Sequence, residues 1–248
     1  MIPVGYRPLL ALLLVLCWAP PLSAAEVRVA VASNFMGTAQ RLAEDFERHS
    51  GHRLLISYGS TGKLYTQIYH GAPFDLFLAA DAERPRRAEL EGLAVSGSRI
   101  TYATGQLALW SPRGNPFERL TRGEFRRLAI ANPDTAPYGF AAREVIGRLV
   151  ASGVQQKLVY GENISQTHQF VASGNAELGF VALSQLQQER PEHLWLVPAN
   201  SYPPIEQQAV LLTRGQGSEA ARDFLTYLQG ERATAIIIAG GYLGPGEP

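Results

Sequence analysis

The chain has 248 residues, 46% of them hydrophobic, with 22 basic and 22 acidic side chains and a formal charge of zero. That length fills one large domain or two lobes of about 100 residues each. The balanced charge, with no basic run and no aromatic–basic interleaving, argues against nucleic acid and anionic membrane surfaces as partners, though not against local binding of one small anion.

Arg7 is the only charged side chain before Glu26; an apolar run over 9–16 follows it, then Ala19-Pro20-Pro21-Leu22-Ser23-Ala24-Ala25. This is the order of a secretory signal peptide. The run falls short of the roughly 20 residues that a membrane-crossing helix needs. Ser23 and Ala25 place small residues ahead of a predicted cut before Glu26, so 1–25 is expected to be removed and 26–248 exported. Cys17 is the one cysteine, and its Leu14-Val15-Leu16-Cys17 context puts a leucine where a lipoprotein signal wants a small residue. The exported chain therefore has no disulfide, thiolate chemistry or cysteine metal site at its disposal.

Val27-Arg28-Val29-Ala30-Val31-Ala32 alternates as a strand, Ser33-Asn34 interrupts it, and Ala39, Leu42, Ala43 and Phe46 recur at helical spacing. The unit repeats, with a strand over 53–57, the polar turn Tyr58-Gly59-Ser60-Thr61-Gly62, and the stripe Leu64, Tyr65, Ile68, Tyr69. A third strand, 74–80, is almost continuously apolar, as a strand covered on both faces would be. Strands alternating with helices predict an α/β fold with a parallel sheet.

Residues 102–110 read as one extended segment broken at Gly105, and the loop Ser111-Pro112-Arg113-Gly114-Asn115-Pro116 follows. The first crossing between lobes is placed here. A second α/β set follows: strand 128–131, helix 138–152, strand 158–160, helix 164–172 and strand 178–182. The extended stretch 207–213 returns the chain to the first lobe, and helices over 218–229 and 231–239 close it. Lobe 1 is thus 26–105 with 207–248, lobe 2 is 106–206, and the two crossings form a two-segment hinge.

Ligands of open α/β sheets sit beyond the carboxyl ends of the strands, where loops feed helix N-termini. Four loops qualify: those at Ser33-Asn34, at Gly59-Ser60-Thr61-Gly62, at Ala136-Pro137-Tyr138-Gly139 and at Gly161-Glu162-Asn163-Ile164. Their backbone N–H groups and hydroxyl or amide donors suit an anion. Each loop alone reads equally well as a helix start.

Other chemistries find less support. Gly62-Lys63 suggests a nucleotide loop, but the Walker pattern needs glycine at 57 and Ser or Thr at 64, where this chain has Ser57 and Leu64. No serine stands in a Gly-x-Ser-x-Gly elbow, and Asp75 and Asp81 read as cap or solvent residues. Of the five histidines, His49 and His52 read as solvated around a helix end, and His168 as a surface or supporting residue one turn inside a helix. No catalytic residue, cofactor or metal-cation site is assigned. Phe35 and Tyr58 are candidates for the cleft wall, or for ordinary core packing.

Three stretches resemble the periplasmic molybdate-binding proteins of molybdate ABC importers. They are Ala30-Val31-Ala32-Ser33-Asn34-Phe35, Gly59-Ser60-Thr61-Gly62-Lys63-Leu64, and Gly71-Ala72-Pro73-Phe74-Asp75-Leu76-Phe77-Leu78-Ala79-Ala80-Asp81. Asn132-Pro133, Ala136-Pro137-Tyr138-Gly139, Gly161-Glu162-Asn163-Ile164 and Leu178-Gly179-Phe180-Val181 continue the match in order. The resemblance implies a two-lobed, type II periplasmic binding protein fold, each lobe a sheet flanked by helices. It implies a monomer, not an enzyme, that captures molybdate or tungstate and hands it to a membrane permease and its ATPase. By position, Ser33 and Asn34 donate to the oxyanion from the first loop and Ser60 and Thr61 from the second. Tyr138 donates through its backbone N–H, with its hydroxyl a further candidate, and Ile164 through its backbone N–H. Many members carry a tyrosine donor at the position of Ala182 and an alanine at that of Tyr138. This chain has the reverse and resembles a variant subgroup. A receptor for sulfate or another small anion is the alternative, differing in cavity size and not in loop chemistry.

Overall fold

The computed structural model describes residues 24–149 and 153–246. The expected signal segment, Cys17 included, lies outside the described residues except for Ala24 and Ala25, and so do 150–152, the end of the helix expected over 138–152.

Strand β1 (Glu26–Ala32) enters a 3-10 turn, Ser33–Phe35, and helix α1 (Met36–Ser50). The stripe Ala39, Leu42, Ala43, Phe46 is buried, and Gly51 ends the helix at φ 72° with its N–H on the Glu47 carbonyl, the left-handed cap that glycine adopts without strain. Next come β2 (Arg53–Gly59), α2 (Thr61–Tyr69), β3 (Leu76–Ala79), α3 (Glu83–Leu90) and β4 (Ile100–Gly105). The second set is β5 (Leu107–Trp110), α4 (Pro116–Arg122), β6 (Leu128–Ala131), α5 (Pro137–Leu149), β7 (Leu158–Gly161), α6 (Ile164–Ala172), β8 (Leu178–Ala182) and β9 (Leu194–Leu196). Strand β10 (Ile205–Leu211) and helices α7 (Glu219–Tyr227) and α8 (Glu231–Ala239) follow.

The strands form two five-stranded sheets, ordered β2-β1-β3-β10-β4 and β7-β6-β8-β5-β9. The expectation of a parallel sheet needs correction, because both are mixed: β10 runs antiparallel to β3 and β4, and β5 antiparallel to β8 and β9. Both reversed strands enter directly from the other sheet, with no crossover helix to turn the chain round, so no parallel pairing is imposed on them. The extended segment broken at Gly105 is two strands in different sheets, joined through Gln106.

Period-2 alternation distributes each central strand between two cores. Leu76 and Leu78 of β3 join one cluster while Phe77 and Ala79 join that on the other face. Leu107 and Leu109 of β5 are likewise separated from Ala108 and Trp110. This explains the continuous apolar runs, since helices cover both faces. The parallel strands β1, β2, β6 and β7 then deliver their carboxyl ends, and the helix starts that follow, to one region between the sheets.

Two smaller expectations also change. Pro116, read as loop, begins α4, where Asn115 caps the amides of Phe117 and Glu118. His52, read as solvated, is largely covered, with 18% of its side chain exposed, and its Nδ1 accepts from the Ala25 amide at 3.3 Å.

Candidate anion-binding site

All six residues expected at the site line one cavity between the lobes: Ser33, Asn34, Ser60, Thr61, Tyr138 and Ile164. Its void, open mouth included, is about 190 Å³, and the remaining wall is alanine, glycine and proline. No charged residue lines it. A second, larger void of about 1670 Å³ lies beside the crossing segments, with Leu196, Pro198 and Tyr202 in its wall. Among the described residues, no buried, unpartnered side-chain donor lines that one. The polar chemistry therefore points to the small cavity.

Ser60 precedes α2 in the N-cap position with extended backbone, yet its side chain caps nothing. It is 3% exposed, and its hydroxyl has no hydrogen-bond partner among the described residues. A buried hydroxyl left in this state costs about 1–3 kcal/mol, which a ligand oxygen would recover. Thr61 differs, because its Oγ1 accepts the Ala80 amide at 3.1 Å and so ties α2 to the end of β3. The hydroxyl proton of Thr61 remains available to donate.

Tyr138 is the second residue of α5, behind Pro137. Proline has no N–H, so Tyr138 supplies the first amide of the helix. Gly139 allows this close approach to β6, since a Cβ there would collide with the Ala131 carbonyl. The Tyr138 ring is buried, and its hydroxyl, like that of Ser60, has no hydrogen-bond partner among the described residues. Burial pushes its pKa well above the usual value, the phenols of Tyr242, Tyr202 and Tyr102 adding to the shift and the Asn34 amide, close by but outside hydrogen-bond geometry, opposing it. It therefore stays a neutral O–H donor at any physiological pH. Ile164 opens α6, whose cap is the preceding Asn163, with Oδ1 accepting from the Gln166 amide at 3.0 Å. Ile164 brings a first-turn backbone N–H and a buried apolar wall.

Asn34 lines the cavity with its side chain already bonded. Its Nδ2 donates to Gln207 Oε1 at 2.9 Å and to the Tyr242 hydroxyl at 3.1 Å. Both amide hydrogens are thus engaged inside the protein, and the group it has left for an anion is its peptide N–H. Gln207 and Tyr242 were missed by sequence reasoning. The one signal was a glutamine pair, Gln207-Gln208, opening an otherwise apolar strand stretch.

The lobes meet around the cavity. The Gly62 amide donates to the Thr135 carbonyl at 2.8 Å, Ser165 Oγ to the Ser33 carbonyl at 3.0 Å and Ser184 Oγ to the Asn34 carbonyl at 3.1 Å. Lys63 and Glu162 pair at 3.2 Å. Phe35 does not wall the cleft: it is fully buried and packs on Tyr102 and Tyr242 at 4.9 and 5.1 Å between ring centroids. Tyr58 packs against the same core and is also absent from the cavity wall. His168 stacks on Trp110 at 4.7 Å and 9° and likewise does not line it.

Residues 27–243 match the family model for bacterial extracellular solute-binding proteins. The chain belongs to that family. Among its relatives is the molybdate-binding protein ModA of Azotobacter vinelandii, 48% identical over 88% of this chain and 90% of that protein. ModA of Rhodobacter capsulatus is 44% identical over 94% of each. The solved structure of the Azotobacter vinelandii periplasmic molybdate-binding protein superposes with a TM-score of 0.85 at 40% identity, covering 88% of this chain and 99% of that one. These relatives are solute-binding proteins and not enzymes, and the two-lobed type II fold is common to them and this chain.

Proposed function

We propose that this protein captures molybdate, or tungstate, between its lobes in the periplasm and delivers it to the permease and ATPase of an ABC importer. The observation that carries the reading is an uncharged cavity lined by two buried residues with unpartnered hydroxyls, Ser60 and Tyr138. Molybdate is a fully deprotonated dianion at neutral pH and only accepts hydrogen bonds, so a shell of donors without a carboxylate matches it. A protonated oxyanion would have only hydroxyl oxygens to accept its O–H there, and no carboxylate.

The ligand set is Ser33, Asn34 through its peptide N–H, Ser60, Thr61, Tyr138 and Ile164. Hydrogen bonds to a charged group contribute roughly 1.5–3 kcal/mol each, and helix N-termini about 0.3–1 kcal/mol more. Six such donors reach on the order of 10 kcal/mol before desolvation and closure are subtracted, enough for a micromolar to nanomolar receptor. Lobe 1 comprises 26–105 with 207–248 and lobe 2 comprises 106–206, and residues 1–25 direct export and are removed. The protein works as a monomer and has no nucleic-acid partner. Names and extent of the relatives support the ligand class.

Isothermal titration of residues 26–248 with molybdate, tungstate and sulfate in separate runs tests the reading. Tight one-to-one binding of molybdate or tungstate with sulfate silent is the expected result. Binding of sulfate alone would move the assignment to a sulfate receptor.

A further inference from the structure

Gln207 is a wholly buried amide on β10, the strand that returns the chain across the hinge. It sits at an irregularity in the pairing with β4, where the register shifts between Gln207 and Gln208. An unpaired amide in such a place is costly, whereas an apolar side chain would simply pack. Its own Nε2 has a single long contact, 3.4 Å to the Ile205 carbonyl. Its Oε1 makes the close interaction, accepting from Asn34 Nδ2 at 2.9 Å.

The rest of Asn34 is held as firmly. Its carbonyl accepts from the Tyr242 hydroxyl at 2.7 Å and from Ser184 Oγ, across the lobe boundary, at 3.1 Å. The Tyr242 hydroxyl has two acceptors within reach, that carbonyl and Ser184 Oγ at 3.0 Å, and its oxygen accepts the second Asn34 amide hydrogen. Side chain and backbone of Asn34 are therefore clamped from three directions: the hinge strand, the C-terminal segment and the opposite lobe. On the other side of Gln207, a Cβ at Gly105 would meet both Gln207 Nε2, at 2.9 Å, and the Tyr138 hydroxyl. The glutamine amide thus stands between site residues contributed by the two lobes, on the segment about which those lobes turn.

We propose that Gln207 is a positioning residue for the oxyanion site. It fixes Asn34, and with it the donors of the first loop, in the place they occupy when the lobes close. This rests on the ligand set given above. Gln207 does not line the cavity; it acts through Asn34, which separates its effect from that of a core residue.

The test is a double-mutant cycle on residues 26–248, with molybdate titrated into the wild type, Gln207→Met, Asn34→Ala and the double variant, and with the melting temperature of each measured without ligand. Gln207→Met is expected to weaken molybdate binding about tenfold, the scale of one hydrogen bond, and to add nothing in the Asn34→Ala background. A residue that only packs the core would shift melting and leave affinity unchanged, or its effect would multiply with that of Asn34→Ala; either result overturns the proposal. Gln207→Leu repeats the cycle if methionine is not tolerated. Ser60→Ala with Thr61→Ala is titrated in parallel. Full-strength binding by that variant would overturn the ligand set itself, whereas a loss there with Gln207→Met unaffected overturns the positioning role alone.

Discussion

The starts of α2 and α6 face each other across the cleft and look alike in the sequence, each a small polar residue in the N-cap position ahead of a first-turn residue lining the cavity. They use that residue in opposite ways. Asn163 accepts from the amide of Gln166 and serves its own helix. Ser60 makes no cap bond and keeps a buried hydroxyl without a partner. A polar residue that declines the local bond available to it is reserved for something else, and here the cavity supplies that destination.

Substitutions should separate the two starts, and the largest effect lies at the aromatic donor between them. Tyr138→Ala empties a fully buried site and should cost about 3–5 kcal/mol of stability along with molybdate binding. Tyr138→Phe removes only an orphan hydroxyl, so the unliganded protein should melt no lower than wild type while affinity falls. If Phe binds like Tyr, the hydroxyl is no ligand. Next is Ser60→Ala, expected to weaken molybdate by about 10- to 100-fold, the worth of one hydrogen bond to a charged group. Melting without ligand should be unchanged or slightly higher, and a drop there with normal affinity would make Ser60 a cap after all. Asn163→Ala reverses the pattern, with a loss of about 1 kcal/mol in denaturant unfolding and a smaller change in titration. The smallest effect belongs to Lys63→Ala, which removes the ion pair to Glu162 linking the two starts. Both side chains are about half exposed or more, 48% and 67%, so screening limits the pair to less than about 1 kcal/mol. Its contribution should vanish in titrations at high salt.

Much of this architecture was legible in one dimension. Helical and period-2 spacing located β1, α1, β2, α2 and β3, because a buried face demands a periodic apolar pattern whatever it packs against. The break at Gly105 marked the first crossing. Short elements with weak patterns escaped, notably α3, with only Pro85 and Ala88 buried, and β9, a three-residue strand. Strand direction escaped too, since alternation is the same for parallel and antiparallel pairing.

For the site, the sequence by itself pointed to four loops with donor groups at strand ends, and residues of all four line one cavity. The loops follow from residue type and position along the chain. Only the tertiary structure decided which donors are free. Thr61 accepts from the Ala80 amide and keeps its proton, the Asn34 amide is spent on Gln207 and Tyr242, and the Ser60 and Tyr138 hydroxyls have no hydrogen-bond partner among the described residues. The physical reason is that a hydrogen bond is spent by whichever partner lies within about 3 Å. Partners such as Gln207 and Tyr242 stand 173 and 208 residues away from Asn34 along the chain.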